Sequence, residues 1–124
     1  MNTGRFRKIQ GRITPKKTGR SLQFDTKVTI NIVDISLADA PAEIIALHEF
    51  NNPKNFPISF EFDYDDEPIR KMPAGRYAIQ VTISTNDRID YFTESSHSIV
   101  NLTSLKYNDY TILETVDIEV VPCD

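Results

Sequence analysis

Residues 33–50, VDISLADAPAEIIALHEF, decide the fold because they end one strand pattern and begin another. Two structures compete for the second half of this stretch. Asp39 could cap a helix, Pro41 stands where a first helical turn tolerates proline, and AEIIAL contains helix formers. However, residues 42–50 offer only about nine positions, and an isolated helix needs roughly 12 or more. We therefore predict a turn followed by a strand over residues 42–50.

Alternation of apolar and polar residues predicts strands along the rest of the chain. The predicted strands are residues 5–13, 26–34, 42–50, 57–64, 77–84, 88–94 and 115–120. Residues 42–50 are apolar on both faces, which favours a central position in the sheet. Asn86 and Asp87 predict a tight hairpin turn. Seven or eight short strands without a strong helix predict an all-β, single-domain antiparallel β-sandwich.

Composition is typical of one globular domain, with 124 residues of which 40% are hydrophobic and 26% are charged. We expect one domain over residues 1–124, with flexible ends at 1–4 and 122–124. The formal net charge of −4 is unevenly spread. Residues 1–20 hold seven Lys or Arg and no acid, so the remainder carries a charge of −11. Aromatic residues do not alternate with the basic ones as a stacking platform for nucleic acid requires, so we expect no nucleic-acid partner.

The sequence gives no sign of membrane insertion or of a disulfide. No apolar run approaches the ~20 residues that cross a bilayer, and the first ten residues lack the apolar segment of a secretory leader. We therefore expect membrane association only if a lipidated leader precedes this sequence. Cys123 is the one cysteine, which excludes an intramolecular disulfide.

Asp63, Asp65, Asp66 and Glu67 form the densest group of carboxylates. Oxygen ligands of this kind suit calcium, but the spacing lacks the glycine and the distal glutamate of an EF-hand loop. A solvated corner between a strand and a loop is the favoured interpretation.

The two histidines, His48 and His97, have no accompanying pair of ligands at metal-binding spacing. We expect His48 to be packed beside Phe50. Ser95 and Ser96 precede His97, yet strand neighbours point to opposite faces and no nucleophile turn is present. We therefore predict no catalytic, cofactor-binding or metal-binding residue. Asn101 begins a glycosylation sequon that matters only in a protein secreted by a eukaryote.

Several motifs together resemble one bacterial family. DISLADAPAEIIA, FPISFEFDYDDEPI and GRYAIQVTIS are similar to segments of the YbaY-type lipoproteins and of the related YscW-type pilotins, the lipoprotein chaperones of type III secretion. IQGRI resembles the first strand of that family and TVDIEVV the last. The chain departs from the family pattern in having no leader with a lipid-accepting cysteine and in using Asn86 and Asp87 where glycine is usual.

The resemblance implies a small β-rich domain of the bacterial cell envelope. Family members are generally lipid anchored, and pilotins escort the secretin ring subunit to the outer membrane. No established catalytic residue of the family can be carried over. We therefore predict a non-enzymatic binding or chaperone-like module with a protein partner. The alternatives are a small-molecule or sugar-processing enzyme that uses the histidines or the carboxylates, and a structural domain of a larger surface protein. A sandwich also has free strand edges, to which a peptide could add as a further strand.

If the chain is a binding module, its partner surface is predicted to include the 34–41 loop and the neighbouring residues 70–75. The candidate residues are Asp34, Ser36, Asp39, Pro41, Arg70 and Lys71. The competing interpretation, which we favour, is that these turns fix strand register, because Ser, Asp and Pro are common backbone caps.

Overall fold

A computed structural model describes residues 6–17, 21–36, 39, 41–72, 75–94, 97–98 and 111–123. Its strands are β1 (Phe6–Pro15), β2 (Thr26–Asp34), β3 (Glu43–Asn51), β4 (Ile58–Asp65), β5 (Tyr77–Thr85), β6 (Arg88–Phe92), β7 (His97–Ser98) and β8 (Thr111–Pro122). One short helix, α1 (Glu67–Lys71), lies between β4 and β5. The prediction of an all-β fold is confirmed, and so is the choice of a strand over a helix for residues 42–50.

Backbone hydrogen bonds connect the strands in the order β3-β2-β5-β6-β8-β1-β4, with β7 added to β5. Neighbouring strands are antiparallel except for β1 and β8, the first and last strands, which run parallel. Alternation is the same in parallel and antiparallel strands, so the sequence pattern could not reveal this one parallel pair.

The core lies between the inner faces of β4, β1 and β8 on one side and β2 and β5 on the other. Each strand contributes every second residue, as the alternation predicts. The buried apolar side chains, each at most 8% exposed, include Ile9, Ile13, Val28, Ile30, Ile32, Phe60, Phe62, Tyr64, Ile79, Val81, Ile83 and Ile118. Burial of such a side chain stabilises the fold by roughly 1.5–3 kcal/mol, so these strands supply most of the stability.

Gly11 allows β1 to lie between β4 and β8. A Cβ atom at this position would overlap the carbonyl oxygen of Val116 on β8 and lie 2.9 Å from its carbonyl carbon. It would also lie 3.2 Å from Cζ of Phe60 on β4. The backbone of β8 cannot withdraw without breaking its pairing with β1, so this position requires glycine.

The predicted hairpin turn connects β5 to β6. Asn86 and Asp87 both have positive φ, 50° and 67°, which is the backbone conformation of a type I′ turn. Asparagine and aspartate tolerate this region better than most residues with a side chain, so the hairpin forms without glycine.

A buried chain of hydrogen bonds joins β2, β5 and β6 close to this turn. The hydroxyl of Thr85 donates to Oδ2 of Asp90 over 2.7 Å, and Arg88 Nε donates to Oδ1 over 2.8 Å. Because the Thr85 hydroxyl is used as a donor, the 3.0 Å contact between the two threonine hydroxyls must have Thr26 as its donor. The backbone N–H of Gln23 in turn donates to Thr26 Oγ1.

The prediction that residues 42–50 form a central strand is wrong. Within the described part of the chain, β3 lies at one end of the strand order and pairs only with β2. Ile44 and Leu47 are each 55% exposed. The pairing register of β2 and β3 shifts beside Ile45, because Ile32 pairs with Ala46 whereas the next residue, Val33, pairs with Ile44. This bulge changes which residues of β3 share a face. Apolar residues at both odd and even positions therefore do not require that both faces of the strand be buried.

Candidate functional site

The two segments predicted as a partner surface do lie next to each other. The backbone N–H of Ile35 donates to the carbonyl oxygen of Arg76 over 2.8 Å. The N–H of Arg76 donates to Ser36 Oγ, and the N–H of Ser36 donates to Asp34 Oδ1, both over 2.8 Å. Asp34 and Ser36 thus use their side chains to hold local backbone. This is the capping role that the competing interpretation assigns to them.

Tyr77 connects this corner to the end of α1. It lies opposite Asp34 in the β2–β5 ladder, and its hydroxyl donates to the carbonyl oxygen of Met72 over 2.8 Å. Burial raises the pKa of the Tyr77 phenol above its usual value of 10.0, and the negative charge of Asp34 adds to the increase. The phenol therefore stays neutral and keeps the segment after α1 beside β5.

The remaining candidate residues are on the surface. Asp39 and Pro41 are exposed, and Lys71 forms an exposed ion pair with Glu67 one turn earlier in α1, with 3.0 Å between Nζ and Oε1. Such a pair contributes only about 0.3–0.5 kcal/mol, which leaves Lys71 available to a partner. The side chain of Arg70 and residues 37, 38, 40, 73 and 74 lie outside the described part of the structure.

The first half of β3 adds apolar surface next to this corner. Glu43 and Ile44, at the start of β3, face Asp34 and Val33 at the end of β2. Leu47 lies three residues further along β3. The exposed side chains of Ile44 and Leu47 therefore border the predicted surface, although both were expected to be in the core. The bulge turns Ile44 to the face that Leu47 shares with Glu49, and alternation alone does not predict a bulge.

The opposite edge of the strand order, β4, is different in character. Its outward residues, Ser59, Glu61, Asp63 and Asp65, are all polar and exposed, while the alternate residues are buried. The Nζ atom of Lys8 on β1 lies 3.4 Å from Oε2 of Glu61 and 4.0 Å from Oδ1 of Asp63. Charged side chains protect an edge strand from pairing with other chains. Of the two edges in the described structure, β3 is the one that presents large apolar side chains.

His48 lies on the inner side of β3 and is packed, as predicted. Its ring centroid is 5.7 Å from that of Phe50 and 4.6 Å from that of Phe62 on β4. No group of three or more His, Cys, Asp or Glu side chains that could hold a metal ion occurs among the described residues. The side chain of His97 and residues Ser95, Ser96 and Asn101, which the sequence singled out, lie outside that part.

The carboxylates of residues 63–67 serve different structural roles. Asp63 and Asp65 are exposed, Asp66 is only 1% exposed, and Asp65 Oδ1 accepts a hydrogen bond from the N–H of Glu67 at the start of α1. The side chains thus point in different directions, towards solvent, into the interior and onto the turn that precedes α1. This arrangement fits the predicted corner between strand and loop.

No helix in the part of the chain that the structure describes is both long enough and apolar enough to span a membrane.

The fold is that of a small all-β domain with one apolar strand edge beside a capped loop corner. Residues 5–111 match the family of type III secretion system lipoprotein chaperones (YscW), and the chain belongs to that family. The resemblance seen in the sequence is thereby confirmed.

Two further proteins are similar to this chain. The uncharacterized lipoprotein YbaY of Escherichia coli is 28% identical over 82 residues, which is 65% of this chain and 42% of YbaY. This chain therefore spans less than half the length of that relative. The structure of an alternative pilotin from the type II secretion system of Vibrio cholerae shares the fold, with a TM-score of 0.75 and 24% identity, over 96% of this chain and 98% of the pilotin.

Proposed function

We propose that this chain is a non-enzymatic, pilotin-like chaperone module that binds a protein of the bacterial cell envelope. The family match over residues 5–111 carries the proposal. The name of the family describes lipoprotein chaperones of secretion systems, and a solved pilotin shares the fold across nearly the whole chain. The client that the resemblance to pilotins implies is a secretin subunit.

The surface supports a binding role better than a catalytic one. Ile44 and Leu47 lie on one face of an edge strand and are each 55% exposed, and a strand edge of this kind offers both apolar contact and backbone hydrogen bonds to a partner. The side chains that a hydrolytic or sugar-processing enzyme would need do not converge among the described residues. His48 stacks on Phe62, and Asp65 accepts a hydrogen bond from the backbone N–H of Glu67.

Site-specific photo-cross-linking in the source cell tests the proposal. A photoreactive phenylalanine would replace Leu47 or Lys71, and in a matched control it would replace Arg12, whose side chain is 63% exposed on the outer side of β1. We expect cross-links from Leu47 and Lys71 to one envelope protein, identified by mass spectrometry, and none to it from Arg12. An absence of cross-links at all three sites, with the variants folded and abundant, would refute the proposed function.

A further inference from the structure

The two strand edges of the described structure differ in how they are protected. The outward residues of the edge strand β4 are all polar, whereas β3 exposes Ile44 and Leu47, each 55% exposed, beside its acidic residues. A strand edge offers a row of backbone N–H and C=O groups to another strand. Within the described residues, β3 therefore combines a hydrogen-bonding edge that pairs with no second strand with exposed apolar side chains.

The bulge in β3 determines how these side chains are arranged. Leu47 faces Asn31 and Ile44 faces Val33. Asn31 and Val33 are two positions apart on β2 and share one face of the sheet, so Ile44 and Leu47 share that face too, although they are three positions apart. Glu49 is two residues beyond Leu47 on the same face. Its carboxylate accepts a hydrogen bond from Thr29 and lies 3.7 Å from Lys27, yet the side chain remains 42% exposed.

We propose that the free edge of β3 binds an extended segment of the client protein by β-strand addition, with apolar residues of that segment facing Ile44 and Leu47 and a lysine or arginine facing Glu49. Directly opposed residues of paired strands lie on the same face, about 4.5–5.5 Å apart at Cβ, so each of these contacts is within reach. The inference rests on the proposed function, because it specifies how the client is recognised.

The acidic residues on and near β3 determine which kind of client segment can bind there. The charged residues on β3 itself are Glu43 and Glu49, and the exposed residue Asp39 in the preceding loop is also acidic. An incoming strand with basic residues would meet opposite charges, and an acidic one would be repelled. A second copy of this chain would bring the same acids, and the net charge of −4 adds to the repulsion between copies. A basic, alternately apolar client strand is thus favoured over self-pairing.

Two synthetic peptides with blocked ends test this inference on the purified chain. The probe is a seven-residue peptide of alternating valine and lysine, and in its control glutamate replaces lysine. We expect the lysine peptide, at about 1 mM, to slow the hydrogen exchange of every second backbone amide from Leu47 to Asn51, beyond the bulge, as measured by NMR. Alternate amides respond because the others already bond to β2. The glutamate peptide should bind about tenfold more weakly or not at all.

Matched variants separate apolar contacts from general effects on folding. The double variant Ile44→Thr with Leu47→Thr keeps strand propensity but removes apolar contact, and we expect it to lower the affinity for the lysine peptide about fivefold. The control is Ile89→Thr, which removes a 46% exposed isoleucine from β6, a strand flanked by β5 and β8. That variant should bind the peptide within about twofold of the original chain.

Several results would overturn the inference. One is a response to the lysine peptide at Glu61 and Asp63 instead of β3, and another is a shift of β3 signals without alternate amide protection. Amides of β3 that become protected in the free chain as its concentration rises would show that a second copy occupies the edge. Any of these results would refute strand addition. If Leu47 nevertheless cross-linked to an envelope protein, the proposed function would still stand.

Discussion

The imidazole of His48 stacks on the ring of Phe62, with their centroids 4.6 Å apart and their planes inclined by 14°. These residues belong to β3 and β4, the two edge strands, which do not pair through their backbones in the described structure. Side-chain packing therefore closes the core at this position. Phe62 also contacts Phe60 and Tyr64 on its own strand, with centroid distances of 6.2 Å, so His48 completes an aromatic row.

Replacement of His48 by alanine should lower the free energy of unfolding by about 1–2 kcal/mol, because it removes the ring pair and part of the cover over β4. His48→Phe keeps an aromatic ring at this position and should recover most of the loss. Urea unfolding, monitored by circular dichroism, measures the stability of both variants. Equal stability of the alanine and phenylalanine variants would contradict a packing role for the ring.

Gly11→Ala should destabilise the chain by about 3 kcal/mol or more, because the new methyl group overlaps the backbone of Val116. The control is Arg12→Ala on the same strand, where an exposed side chain is removed and the change should stay within about 0.5 kcal/mol. Thermal and urea unfolding report the difference. If Gly11→Ala proved as stable as Arg12→Ala, β1 and β8 could not be paired as closely as described.

Thr85→Val should cost about 1–3 kcal/mol, because valine has nearly the same shape but cannot donate to Asp90 or accept from Thr26 in a buried site. Thr82→Val, on the outward face of the same strand, is the control and should change stability by about 0.5 kcal/mol or less. Urea unfolding compares the two variants with the original chain. Similar losses in both would show that the buried network adds nothing specific.

Tyr77→Phe should alter the dependence of stability on pH. The pKa of the Tyr77 phenol is raised in the folded chain, so the unfolded chain loses this proton first as pH rises above 10.0. The stability associated with this shift is fully present below pH 10.0 and is lost as the pH passes through the raised pKa.

Unfolding midpoints measured from pH 7 to pH 11 should therefore fall less steeply above pH 10 in Tyr77→Phe than in the original chain. At neutral pH the variant should be less stable by about 0.5–1.5 kcal/mol, because the hydrogen bond to Met72 is lost. An unchanged alkaline slope would show that Tyr77 does not contribute to it.

Much of the fold could be predicted from local pattern. The alternation of Val28, Ile30 and Ile32 gave the extent of β2, and the proline-led aromatic segment gave β4 within one or two residues. Asn86 and Asp87 gave the hairpin because both side chains tolerate positive φ. These signals act between near neighbours in the chain, which is why the sequence expresses them directly.

Local sequence pattern predicted the candidate surface only in part. The sequence indicated that Asp34 and Ser36 would cap backbone, but their bonding partners depend on Arg76, which lies forty residues further along the chain. Ile44 and Leu47 looked like core residues. Their exposure follows from a bulge and from the edge position of β3, and both depend on which strands lie beside it.

The sequence by itself determined where the chain is extended, where it turns and which family it belongs to, because these follow from side-chain shape, polarity and motif order. Only the tertiary structure decided that β1 runs parallel to β8, that β3 is an edge and that His48 meets Phe62. Such pairings join residues far apart in the chain. Many strand orders can bury the same apolar faces, and the one adopted is selected by the packing of the whole core.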